Sequence, residues 1–64
     1  MEEIKQAIDA AYRSQVAQLY KVLSQAILVA NGDDSKISSA KQRFANGLAH
    51  ASSVREAAYE AAGL

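Results

Sequence analysis

The chain contains no cysteine, no proline and no tryptophan, and its one histidine is His50. Without cysteine there is neither a disulfide nor a thiolate metal site, and one imidazole cannot build a histidine metal cluster. Without proline, nothing breaks a helix from within. Aromatic residues are sparse, three tyrosines and one phenylalanine, which leaves little for stacking on bases. Neither sign of charge is in excess: seven Lys/Arg face seven Asp/Glu. No overall field therefore draws the chain toward nucleic acid or anionic lipid. The longest strictly apolar run, Ala26-Ile27-Leu28-Val29-Ala30, falls far short of the ~20 residues a membrane span needs. The acidic start, Met1-Glu2-Glu3, argues against a secretory signal. The expectation is a cytoplasmic protein with no membrane association.

What the chain does have is alanine, 14 of 64 residues, and one interruption at its midpoint, Asn31-Gly32-Asp33-Asp34-Ser35. Before it, over about residues 2–30, Ile4, Ile8, Ala11, Tyr12, Val16, Leu19, Val22, Leu23, Ala26, Val29 and Ala30 fall on one broad face at helical spacing. Glu2 and Glu3 suit the positive end of the helix dipole, and Lys5, Asp9 and Arg13 form an i,i+4 ladder on a solvated face. After the break, over about residues 35–62, the stripe is Ile37, Ala40, Phe44, Gly47, Leu48, Ala51, Val54, Ala58 and Ala62, with Gly63 as a terminal cap. In the turn, 31–35, Asn31 and Gly32 tolerate left-handed backbone, and Asp33, Asp34 and Ser35 compete as N-cap. The flanks lack the alternation of a β-hairpin. Calcium-loop spacing is also absent.

Folding back at Gly32-Asp33 pairs residues whose numbers sum to about 66, as short loops between antiparallel helices require. Ile8 then meets Ala58, Tyr12 meets Val54, Leu19 meets Gly47, Val22 meets Phe44 and Val29 meets Ile37. Large side chains mostly meet small ones, which lets layers interdigitate. The expected core is Val16, Leu19, Val22, Leu23, Phe44 and Leu48. Gln15, inside the first stripe, is a candidate for fixing register. The sequence thus predicts an all-α fold, a single domain over 1–64, built as an antiparallel two-helix hairpin.

A hairpin this short has a marginal core, and with disulfides and metals excluded, a partner becomes the source of missing stability. The backs of the helices carry few long charged residues: Ala10, Ala17 and Ser24 on the first, Ala45, Ala49, Ser52, Ser53 and Ala57 on the second. This predicts a homodimeric four-helix bundle about a two-fold axis, with Tyr20, Ile27, Leu28, Ala10 and Ala17 as interface residues. A helical partner protein in place of a second copy is the other form of the same expectation.

Chemistry finds little support. No nucleophile elbow surrounds any serine, Glu56 and Glu60 lack the Glu-x-x-His partner of a di-metal bundle, and no phosphate-loop or dinucleotide fingerprint occurs. No enzyme activity, cofactor or metal is expected. The alternative is an RNA-binding hairpin dimer using Lys21, Lys36, Lys41 and Arg43, although Asp33 and Asp34 lie close by and neutral charge weakens counterion release. In length, midpoint turn and amphipathicity the chain resembles the Rop-type plasmid regulators, short hairpins that dimerise and bind RNA, and the hairpin chaperones of secretion-needle subunits. It shares no diagnostic residue string with either, so no functional residue carries over. The leading expectation is a small self-associating structural, adaptor or chaperone-like protein–protein interaction module.

Overall fold

Acidic Glu2 and Glu3 open a helix that alanine, leucine, glutamine and lysine sustain without a breaker. In a computed structural model that describes residues 2–64, this helix, α1, spans Glu2–Ala30. Met1, read above as part of the acidic start, lies outside the described residues. A second helix, α2, spans Asp34–Ala61 and returns along the first. The chain is all-helical, with its two helices packed against each other.

The connection is short because its residues accept backbone that others resist. Asn31 and Gly32 both have positive φ, 50° and 84°, and the Asp33 N–H donates to the Ala30 carbonyl at 3.0 Å. Positive φ at both central residues, closed by this bond, is the pattern of a type I′ turn. The Asn-Gly pair adopts here, between helices, the turn it most often makes between strands. Asp33 is the N-cap of the three candidates: its carboxylate accepts from the N–H groups of Ser35 at 3.0 Å and Lys36 at 3.1 Å. At the far end Gly63, φ 77°, donates to the Glu60 carbonyl while Leu64 donates to Tyr59. That pair of bonds is a Schellman cap.

Between the helices the seam follows a repeat of 3.5 residues. On α1 the positions turned inward are Tyr12, Val16, Leu19, Leu23, Ala26 and Ala30; on α2 they include Ile37, Ala40, Phe44, Leu48, Ala51 and Ala58. Among the described residues only Ala30, Ala40 and Ala51 are buried. Leu19 lies against Gly47 as the fold-back register requires. A Cβ on Gly47 would stand 2.6 Å from Leu19 Cδ2, so glycine marks the close approach. Nearer the open end, contacts run slightly ahead of that register, with Tyr12 against Arg55 and Asp9 against Tyr59.

Two residues of the first stripe, Val22 of the expected core and Val29 expected against Ile37, turn out of the seam. Val22 is 59% exposed and Val29 79% exposed. Each sits one residue before a seam position, Leu23 or Ala30, and is rotated about 100° out of the interface. The first stripe is wider than one neighbouring helix can cover.

The result is a plank of 47 × 15 × 8 Å between Cα atoms, with a radius of gyration of 14.8 Å. A compact domain of this length has a radius near 11 Å (an order-of-magnitude value). One helix pair is too thin to surround its own apolar residues.

Candidate interaction surface

At the open end of the hairpin, four polar or aromatic side chains interlock. Tyr12 and Asp9 project from α1, Arg55 and Tyr59 from α2. The Arg55 guanidinium stacks over the Tyr12 ring at 4.1 Å and lies 6.0 Å from that of Tyr59, a cation–π arrangement. The Tyr59 hydroxyl donates to Asp9 Oδ1, and Lys5 Nζ donates to Asp9 Oδ2 at 3.3 Å. The Tyr59 bond is the larger cause holding the Asp9 carboxyl below its ordinary value, with Lys5 acting in the same direction. Donating to Asp9 pushes the Tyr59 hydroxyl up, and the same carboxylate raises Lys5. Arg55 Nε is buried and has no hydrogen-bond partner among the described residues. The cluster fastens the helix ends.

Along one flank, three cavities between the helices follow one another from the open end to the loop. Ile8, Ala11, Gln15 and Val54 line the first, Leu19, Val22, Ala40 and Phe44 the second, and Val29, Ser35, Lys36 and Arg43 the third. Ile8, Gln15, Val22 and Val29 recur at seven-residue steps, so they stand in one row. The first two cavities measure about 90 and 130 Å³. These two are side-chain-sized, and the third, at the loop end, measures about 350 Å³.

The opposite flank holds the Asp9–Tyr59 bond and, further along α1, Tyr20 and Ile27, which line a shallow hollow with Leu23 and Ser24. Tyr20 is 65% exposed and Leu28 79%. Ala10 and Ala17 are exposed as well. The five expected interface residues therefore all reach solvent, and Leu28 with Ala10 and Ala17 lies toward the outer side of α1. Gln15 is exposed and lines the groove at its open-end cavity rather than sitting in the seam.

The four basic residues do not converge. Lys36 and Arg43 share the loop-end cavity. Lys41, two residues before Arg43, points to the other side of α2, and Lys21, seven residues before Leu28, follows the outer side of α1. His50, Glu56 and Glu60 are exposed. Among the described residues no group of three His, Asp or Glu side chains is placed to hold a metal ion.

Sequence reasoning missed the open-end cluster and assigned Val22 and Val29 to the seam instead of to a separate row. Both had a signal. Arg55 and Tyr59 are an i,i+4 pair set among alanines, and the seven-residue recurrence of Ile8, Gln15, Val22 and Val29 is visible in the sequence as a row distinct from the seam.

By fold and surface the molecule is a two-helix α protein with apolar side chains on more than one outer face. No family model, no curated protein and no solved structure matches the chain. Among the described residues no helix is long and apolar enough to cross a membrane.

Proposed function

We propose that the chain is a non-enzymatic protein–protein interaction module, a structural, adaptor or chaperone-like hairpin that completes its core with a second copy of itself as a four-helix bundle. One observation carries this reading. The accessible surface is 4763 Å² for a 6.8 kDa chain, whereas a compact monomer of that mass exposes about 3,950 Å². The excess, roughly 800 Å², equals one partner's share of a standard protein–protein interface. It is apolar in character: Ile4, Tyr20, Val22, Leu28, Val29 and Val54 are each more than 40% exposed. The cytoplasm is the compartment we assign with this role.

Sedimentation equilibrium across a hundredfold concentration range tests it. A dimer that dissociates only on dilution is the expected result. A folded monomer at every concentration, with no partner recovered from cells, would remove the reading.

Lys36 and Arg43, placed together at the loop end, support a second reading as an RNA-binding dimer. Titration with RNA at two salt concentrations decides it. Binding that weakens steeply with salt supports the second reading, and no binding at low salt ends it.

A further inference from the structure

We infer that the second copy seats on the grooved flank, along the row of Ile8, Val22, Val29 and Val54, and not on the Tyr20–Ile27–Leu28 side. The inference rests on the self-association proposed above and assigns it a face. Three observations point the same way.

The first is shape. The groove runs the length of the hairpin through three successive cavities, and the first two have the size of single side chains. A ridge of side chains from another helix is the occupant such hollows fit. The broad face of 47 × 15 Å offers a footprint of about 700 Å², within the standard range for one partner.

The second is self-complementarity. One wall of the groove is the large row on α1, the other is Phe44 and Val54 on α2, with buried Ala40 and Ala51 as its floor. A copy turned about the long axis of the hairpin lays its α1 over this α2. The α1 row of each copy then meets Phe44 and Val54 of the other, and the contact is isologous.

The third is charge. On the grooved flank the α1 residues Ile4, Ile8, Ala11, Gln15, Val22 and Val29 are all uncharged. The charged residues lining its cavities are Arg55, stacked on Tyr12 at the open end, and Lys36 and Arg43 toward the loop. The long stems of Lys36 and Arg43 let the charged heads reach water at the rim. The opposite flank carries the Lys5–Asp9–Tyr59 cluster. Covering that cluster takes the Lys5–Asp9 pair out of water, whereas the long basic side chains of the groove reach its rim.

Val22 and Val29 are exposed in the single hairpin, so changing them leaves its internal seam in place. Val22→Glu, Val29→Glu and Leu28→Glu are compared with the unmodified chain by sedimentation equilibrium, with circular dichroism reporting helix content. Val22→Glu and Val29→Glu are expected to weaken dimerisation at least tenfold, while Leu28→Glu sediments like the unmodified chain. Because the chain lacks cysteine, single Val22→Cys and Leu28→Cys variants give a second measurement that does not depend on tolerating a buried charge. The Val22→Cys thiol should react at least tenfold more slowly with a maleimide at dimeric than at monomeric concentrations, and the Leu28→Cys thiol at one rate throughout. A Val22→Cys thiol that stays reactive in the dimer, with or without protection of Leu28→Cys, overturns the face while self-association stands. An unmodified chain that is monomeric at all concentrations overturns both.

Discussion

At Gly47 two requirements oppose each other. Glycine inside a helix costs about 0.8–1 kcal/mol relative to alanine, yet any Cβ there collides with Leu19 Cδ2. Gly47→Ala should therefore be nearly neutral: the propensity gain is offset as Leu19 turns off its preferred rotamer. Gly47→Leu has no such escape and should cost about 2 kcal/mol by overpacking. Adding Leu19→Ala to Gly47→Leu should recover more than half of that loss in thermal melts. Strict additivity of the two changes would show that the side chains do not touch. Asp9 acts through charge. Its folded value is lowered, so its contribution is complete above the ordinary carboxylate range and is lost as pH falls through the lowered value. Tyr59 and Lys5 are raised, so theirs is complete below their ordinary values and lost as pH rises past the raised ones. Helix content should thus decline at both extremes, below about pH 4 and above about pH 10. Asp9→Asn should flatten both limbs relative to the unmodified chain, and two unchanged limbs would exclude the cluster as their cause.

The elements were largely readable in advance because their determinants are local. Helical periodicity, the Asn-Gly pair and the acidic N-cap candidates act within a few residues, and the close approach of Leu19 to Gly47 follows once the chain is folded at its midpoint. The exposure of Val22 and Val29 did not follow. A residue 100° from the seam centre looks the same on a helical wheel whether one helix or two cover it. Arg55 was overlooked for a related reason: a charged residue in the seam becomes intelligible only when Tyr12 and Tyr59 are seen on either side of it. At this scale the N-cap is the most exposed weakness. Asp33 serves two N–H groups, and its replacement by alanine should lower stability by about 1 kcal/mol. Asp33→Asn should retain most of the effect, and Asp34→Ala, outside the cap, should do little. Equal losses at Asp33 and Asp34 in denaturant melts would point to net charge instead of capping.

For the molecule as a whole, folding and association are one equilibrium if a second copy supplies the remaining core. The buried side chains among the described residues are three alanines, which together contribute little hydrophobic free energy, and the large residues of the seam are only partly buried in a single hairpin. A dimer unfolding to two chains loses about 1.4 kcal/mol of apparent stability for each tenfold dilution, so the melting temperature should fall steadily over a hundredfold dilution. Leu23 and Val22 are neighbours that separate the two contributions. Leu23→Asp places a charge in the seam between α1 and α2 and should abolish helix formation at any concentration. Val22→Glu spares that seam, so its helix should return as concentration rises, with the midpoint displaced at least tenfold upward. If both variants melt alike and neither depends on concentration, the hairpin stands alone and its outer apolar residues serve a different kind of partner.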